Sequence, residues 1–520
     1  PLDVAPLDVA PLDVPVTDRS ATPDVATPDA PAPRRRKVLL IGLDGVRYDT
    51  LQRASAPSIR ALAARGFMSR TWLYVQPMAP TMSGPGWSTI ATGVWPDKHR
   101  VRGNDFVGHE LARYPDFLTR IERVAPRLNT YSIADWPPIN VSTAAGPVVG
   151  SEVDLRVNYN GDATAGGWVA TDARVTREAV ERLRTQDPDA TFVYLGNPDI
   201  VAHNMGAGAA YLSSIETSDA QVGELVAAVE ARPTYAQEDW LIVVTTDHGH
   251  VDAGGHGGFT WQERQSFIVA AGGAVPRGPL PFQPRLVDIA PTVFAHLGLT
   301  VDPAWGFDGV PLGTPTSDPF DTLAPRLRAA VDEAGIPATT LGWTHDTPAA
   351  WSIENDRLTA GGVTEWRGWS FVDEAFWVAA EPGQGREGFV RSRGVIAVAD
   401  SDEWDDIGTP SRNGPYDTTL ASAPYAVTGL TNARLRFSSL YRQEGMQQAD
   451  VTVSFDGAAP RTVLHYGPNT ADANAGVDVI SRIESVEIPV PTGARAMVVR
   501  WRLREARNNW FWAIDDPSVR

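Results

Sequence analysis

Five short segments concentrate the side chains that could do chemistry: Gly42-Leu43-Asp44-Gly45, Ser83-Gly84-Pro85-Gly86-Trp87, Asn197-Pro198-Asp199 with His203, Asp247-His248-Gly249, and Gly254-Gly255-His256-Gly257-Gly258. Taken singly, each is ordinary, because an Asp at a strand end commonly caps a helix or forms a turn. Asp199 and His203 stand four residues apart and so face one way on a helical turn. Asp247 and His248 follow an apolar run directly, and both can face a site only where the chain is turning. Taken together, they are the oxygen and nitrogen ligands that zinc accepts. The chain has no cysteine, which removes thiolate metal sites, disulfides and thiol catalysis. Two sites can be composed, one from Asp199, His203 and His256, the other from Asp44, Asp247 and His248. Three carboxylates against two dications leave a net charge of about +1. Metals ~4 Å apart can hold both the attacking and the leaving oxygen of an in-line displacement at phosphorus.

That positive centre would sit in an acidic molecule. With 45 Lys+Arg against 63 Asp+Glu, the 520-residue chain carries a formal charge of −18, which repels nucleic acid and anionic membranes and leaves no nucleic-acid partner expected. Only Lys37 and Lys98 are lysines. At 43% hydrophobic and 21% charged residues, the composition is that of a globular protein. No apolar run reaches the ~18 residues a membrane-spanning helix needs.

The elements that must position these groups follow from periodicity. Lys37–Asp44 is a continuous apolar run with the pattern of a central parallel strand. Buried-strand patterns recur at Asn129–Ala134, Thr191–Gly196, Trp240–Thr246 and Ser266–Ala271. Helical periodicity marks Ser58–Arg65, Ala173–Arg184, Ala209–Ala231 and Leu286–Leu297. Alternating strands and helices predict an α/β domain with a mostly parallel sheet flanked by helices, and the reactive residues fall past the strand C-termini. From Gly342 onward helical periodicity nearly vanishes; short β-branched and aromatic runs separated by turn clusters predict an all-β sandwich of jelly-roll type. The PLDVA repeats and the ATPDVATPDAPAP stretch cannot bury enough apolar surface to order, so they predict an extended tether. The division is a disordered Pro/Ala/Asp tether at 1–36, a catalytic domain at 37–335 and a β domain at 336–520.

In this order, the motifs resemble the alkaline phosphatase superfamily, in its type I phosphodiesterase/nucleotide pyrophosphatase-like branch. The likeness covers roughly Lys37–Leu312. It runs through strand-end Asp44, the hydroxyl loop ending Thr92-Gly93, Trp95-Pro96-Asp97-Lys98-His99, NPD-x-x-x-H, DHG and a Gly-flanked His, and closes with Val287–Thr292 and Phe307–Leu312. The resemblance implies an alkaline-phosphatase-like fold, two zinc ions, and a Thr or Ser nucleophile followed after one residue by Pro. Ser83, with Pro85, fits that place and would also contact metal; Thr81 is the rival. It further implies that Asn104, five residues after His99, holds a non-bridging phosphate oxygen. The family's aromatic and Asn around the nucleophile are replaced by Gly84 and Gly86.

The implied activity is hydrolysis of small-molecule phosphodiesters or phosphomonoesters through a covalent seryl-phosphate. Arg47, Arg100 and Arg102 are the guanidinium groups near the motifs. One alternative is a sulfatase-like hydrolase, disfavoured because Trp87 stands where sulfatases need Arg. Another is a secreted carbohydrate-binding protein with an inactive hydrolase domain, its β domain presenting Trp343, Trp351, Trp366, Trp369, Trp377, Trp404, Trp501, Trp510 and Trp512 to a polysaccharide or cell surface. Core packing is the commoner use of such tryptophans. Asp515-Asp516 is a candidate Ca2+ pair beside a plain turn reading. His250 and Asp252 read as solvated loop, with support of neighbouring ligands as the other reading, and His296 as a packed or capping histidine. A first residue that is not Met, the Pro-rich tether and the appended β module predict export to the periplasm or beyond, anchored through a removed N-terminal segment.

Overall fold

A computed structural model describes residues 34–74, 79–141, 146–273, 275–280, 283–315, 317–406, 414–467 and 480–520. The repeat-rich N-terminal stretch lies outside them.

Seven strands form the first sheet: β1 (Arg35–Leu43), β2 (Gly66–Trp72), β3 (Thr130–Ala134), β4 (Leu155–Asn158), β5 (Ala190–Leu195), β6 (Glu238–Thr245) and β7 (Gln265–Ala271). Their spatial order is β2-β7-β6-β1-β5-β3-β4. β6, β1, β5, β3 and β4 run parallel, while β7 is antiparallel to β6 and to β2, so the sheet is mixed but mostly parallel. Both faces of β1 are covered, as its unbroken apolar run requires. Val38 and Leu40 pack with Phe192, Val243, Trp87 and Ile90 on one side. Leu39, Ile41 and Leu43 pack with Val193, Val244 and the helices Pro57–Arg65, Gly167–Thr185 and Ala209–Glu230 on the other.

The register decides where chemistry can occur. Leu43 pairs with Leu195 and Gly42 with Thr245, so the three central strands end side by side. Each then delivers a motif: Asp44 after β1, the helix Asn197–Met205 after β5, and Asp247-His248 after β6. β2 and β4 escaped the sequence reading because edge strands with half-buried residues lack a continuous apolar signal.

The C-terminal part holds two antiparallel sheets around one apolar core. One runs in the order Ser352–Glu354, Tyr416–Ala421, Ala496–Ala506, Gln448–Phe455, Arg461–Tyr466. The other runs from Ile480–Pro489 through Asn432–Tyr441, Phe511–Val519, Val395–Asp400, Trp369–Asp373 and Leu341–Thr344 to Arg328–Ala329. Two short helices, Glu374–Ala380 and Ser401–Trp404, interrupt the all-β pattern. Both begin behind an Asp whose side chain accepts from the first-turn N–H groups, a local signal that periodicity over so few residues cannot carry.

The tryptophans do not form a surface platform. Trp366, Trp369, Trp377, Trp404, Trp501 and Trp512 are fully buried, Trp343 and Trp351 nearly so, and Trp510 packs against the same core. The part joins the first sheet's domain through ion pairs, chiefly Arg393 to Asp288 and Arg285 to Glu374. Among the described residues, no helix is long and apolar enough to cross a membrane.

Candidate metal centre

Turning the chain just past β1 requires a glycine. Gly45 has φ +69, and a Cβ there would lie 2.6 Å from His250 Nε2 and 2.9 Å from Asp199 Cα. The Val46 N–H donates to Thr246 Oγ1 at 2.9 Å, fastening the end of β1 to the end of β6.

Asp44, Asp247 and His248 form one cluster, wholly buried. One oxygen of each carboxylate is committed to the protein. Asp44 Oδ2 accepts from Trp87 Nε1 at 3.0 Å and from the Tyr194 hydroxyl; Asp247 Oδ1 accepts from Gly45 N–H at 3.2 Å. The other two, Asp44 Oδ1 and Asp247 Oδ2, are buried without any hydrogen-bond partner. They lie 3.6 and 3.2 Å from His248 Nε2. His248 Nδ1 sits 3.1 Å from the Gly249 carbonyl, which fixes the proton on Nδ1 and turns the Nε2 lone pair towards the two orphan oxygens. Three lone pairs thus converge in a dry site with nothing to neutralise them, an arrangement a cation satisfies.

The second cluster is Asp199, His203, His250 and His256. His203 Nε2 lies 2.9 Å from His256 Nε2 and 3.5 Å from Asp199 Oδ2; His256 Nε2 lies 3.5 Å from Asp199 Oδ1. His256 donates from Nδ1 to the Thr81 carbonyl at 2.8 Å, leaving Nε2 as a donor atom for metal.

His250 corrects the solvated-loop reading, since it is fully buried. Its Nδ1 accepts the Gly255 N–H at 3.2 Å, so Nε2 carries the proton and donates to Asp199 Oδ1 at 2.8 Å. It therefore orients the Asp199 carboxylate and does not offer a lone pair. Asp252 is on an exposed stretch, as read, and pairs with Arg47.

Burial acts on two of the carboxyls and three of the imidazoles. It pushes Asp199 and Asp247 well above the usual carboxylate range, with the Asp44 charge adding to it. Desolvation pushes His248 far down, His250 to about 4 and His256 to about 2, so these imidazoles are neutral, the form that binds metal.

Ser83 opens the buried helix Ser83–Thr92, with its Oγ 3.4 Å from His248 Nε2. The rival hydroxyl is already engaged: Thr81 Oγ1 donates to the Gly258 carbonyl at 2.9 Å and accepts from Gly257 N–H at 3.0 Å, holding the loop that carries His256. Asn104 Oδ1 accepts the Gly84 N–H at 2.7 Å, which turns its amide NH2 into the group left to donate beside Ser83. The two glycines that depart from the family pattern acquire a reason here. A Cβ on Gly84 would come within 2.8 Å of the Gly103 carbonyl oxygen and 3.1 Å of Asn104 Oδ1, and one on Gly86 within 2.6 Å of Asp247 Cβ. Arg47 is buried in pairs with Asp49 and Asp252, and Arg100 and Arg102 are exposed. His296 is packed, its Nε2 near the carbonyls of Lys37 and Asp239. Asp515 and Asp516 diverge as neighbours on a strand do: the first is buried and accepts Arg393 N–H at 2.7 Å, the second is half exposed and lies 3.9 Å from Arg436.

Part of the chain is similar to known proteins. The family model described as "Type I phosphodiesterase / nucleotide pyrophosphatase" matches residues 38–263, a span holding all seven metal-facing or hydroxyl residues predicted above. Ectonucleotide pyrophosphatase/phosphodiesterase family member 3 of Rattus norvegicus is 24% identical over 232 residues, covering 41% of this chain and 24% of that protein. Family member 7 of Mus musculus is 26% identical over 236 residues, covering 42% of this chain and 51% of its own length. This chain thus spans between a quarter and a half of those curated relatives. Among solved structures, the phosphonate monoester hydrolase of Agrobacterium radiobacter aligns with a TM-score of 0.42 at 18% identity, over 54% of this chain and 78% of that one. Over residues 38–263, a little under half of its length, the chain thus resembles the type I phosphodiesterase / nucleotide pyrophosphatase family.

Proposed function

We propose that this domain is a two-zinc phosphoesterase that works through a phosphoseryl intermediate on Ser83 and prefers diesters. The observation that carries the reading is the pair of buried, partnerless oxygens on Asp44 and Asp247 facing the His248 lone pair, with a helix-terminal hydroxyl beside them. Asp44, Asp247 and His248 would hold one ion and Asp199, His203 and His256 the other. Bound there, the ions supply Lewis acidity and the positive charge that an anionic ester needs in a protein of charge −18.

The chain's own groups do the rest. Ser83 stands at the first turn of its helix, where the macrodipole favours a developing alkoxide. Its oxygen forms the bond to phosphorus as the ester bond to the departing alkoxide breaks, and water releases the phosphoryl group in a second displacement. Asn104 donates from its amide to a non-bridging oxygen. Trp87, by holding Asp44, occupies the place a sulfatase would give to Arg. Diester preference follows from charge: of the three arginines near the motifs, Arg47 is spent on Asp49 and Asp252 and Arg100 and Arg102 are exposed, so none of them is placed to meet the extra negative charge of a monoester. The Pro/Ala/Asp repeats support export as the setting.

Ser83→Ala tests the assignment. Turnover of bis-nitrophenyl phosphate should fall by at least ~1,000-fold with zinc content unchanged; undiminished turnover would remove Ser83 from the reaction. In parallel assays, bis-nitrophenyl phosphate should be hydrolysed faster than nitrophenyl phosphate.

A further inference from the structure

One buried histidine stands in neither metal-ligand cluster of the first domain. His99 ends the short helix Pro96–His99 and is fully buried. Its Nδ1 accepts the Val101 N–H at 3.0 Å, so the neutral ring carries its proton on Nε2. Burial keeps the ring neutral, pushing its pKa down to about 3. Nε2 lies 3.1 Å from Thr89 Oγ1 and donates to it, and that hydroxyl donates in turn to the Pro85 carbonyl at 2.8 Å. Thr89 and Pro85 belong to the helix Ser83–Thr92, which is buried along its whole length. The imidazole therefore grips two separate pieces of chain, the helix that Ser83 opens and the loop that runs from Val101 to Asn104. That loop returns to the same helix, because Asn104 Oδ1 accepts the Gly84 N–H at 2.7 Å. The contacts close a ring: from Gly84 to Asn104, back along the loop to Val101, through His99 to Thr89, and on to Pro85, the residue after Gly84. Two anchors fix a separation that either bond alone would leave free.

We propose that His99 is a positioning residue: through Thr89 and Val101 it sets the Asn104 amide against the Ser83 hydroxyl. The inference rests on the roles proposed above for Ser83 and Asn104 and adds the device that holds them in register. Fully buried, His99 touches no substrate itself. It holds Asn104 where the amide NH2 reaches a non-bridging oxygen as Ser83 attacks. Such a donor is effective only when it is aimed beforehand, which requires a supporting shell with its own hydrogen bonds. A histidine packed for stability alone makes the opposite prediction, that its loss and the loss of Asn104 act independently.

The test is a double-mutant cycle on the zinc-loaded full chain, with bis-nitrophenyl phosphate as substrate. Thr89→Val keeps the side-chain shape and removes the relay hydroxyl. Its kcat should fall about tenfold, with zinc content and circular dichroism unchanged. Thr89→Ser, which keeps the hydroxyl, should stay within about threefold of the parent. Asn104→Ala alone should cost about 100-fold, and adding Thr89→Val to it should cost less than about twofold more. Independently of turnover, nitrogen-15 NMR of the parent should show a neutral His99 ring protonated on Nε2, its signals assigned by their loss in His99→Gln. Losses that multiply in the double variant, a ring protonated on Nδ1, or a Thr89→Ser enzyme as slow as Thr89→Val would overturn the proposal while Ser83→Ala stays inactive. Undiminished turnover in Ser83→Ala would instead remove the reading on which it rests, and the proposal with it.

Discussion

Replacing Gly86 by Ala adds one methyl group at a close approach between the helix of the proposed nucleophile and a proposed metal ligand. The new Cβ would stand 2.6 Å from Asp247 Cβ. Carbon atoms settle at about 3.5–4.0 Å, so the overlap is roughly 1 Å. Neither side can easily yield, because the helix Ser83–Thr92 and Asp247 are fully buried. Helix propensity works in the opposite direction, favouring Ala over Gly by about 1 kcal/mol. Overpacking a close-fitted interior costs about 1–3 kcal/mol, so the net loss of stability is at most about 2 kcal/mol. The effect on chemistry is larger. Gly86 is three residues from Ser83, and relief of the overlap must move Ser83 or Asp247 by a substantial part of an ångström. A displacement of about 1 Å at a reacting centre costs roughly 100-fold. The account therefore predicts a folded Gly86→Ala protein, melting a few degrees lower, with kcat/KM for bis-nitrophenyl phosphate down about 100-fold. Turnover within threefold of the parent would refute the tight apposition on which the site's geometry depends.

Thr81→Val keeps the side-chain shape but removes the hydroxyl that holds Gly257 and Gly258; zinc should bind about tenfold more weakly, measured by competition with a chelator, because the loop bearing His256 is loosened. Ser83→Ala should show the reverse pattern, lost turnover with retained zinc, and identical behaviour of the two variants would contradict the division of labour between them. The pH dependence has a defined sign. Burial raises the carboxyls of Asp199 and Asp247 and lowers His248, His250 and His256, so metal displaces protons from those two carboxyls and none from those three imidazoles. Zinc titration by calorimetry in buffers of different ionisation enthalpy should report net proton release, with affinity rising as pH rises. Proton uptake, or none exchanged, would contradict it.

The parts of the fold that announced themselves were those whose residues obey one constraint over many positions. β1, β5 and β6 are buried on both faces and so read as unbroken apolar runs; the motif residues could be placed at their ends because parallel sheets put chemistry there. β2 and β4, at the sheet edges, satisfy no such constraint along their length. The six residues proposed as metal ligands stood out because their types leave few other uses in that order, and the structure brings them into two groups. His250 was not, because its role depends on which ring nitrogen meets Gly255 N–H, a fact of tertiary contact. Likewise Gly84 and Gly86 read as losses from a family pattern until the closeness of Asn104 and Asp247 gave each a purpose. The tryptophans of the C-terminal part carry the same lesson, since composition alone cannot tell a stacked core from an exposed platform.

Anomalous diffraction at the zinc absorption edge, on crystals grown with zinc, addresses the central claim most directly. The account predicts two peaks about 4 Å apart, one enclosed by Asp44, Asp247 and His248 and the other by Asp199, His203 and His256, with Ser83 Oγ beside them. A fully loaded crystal with no peak at these six side chains, or with its metal bound elsewhere, would contradict it.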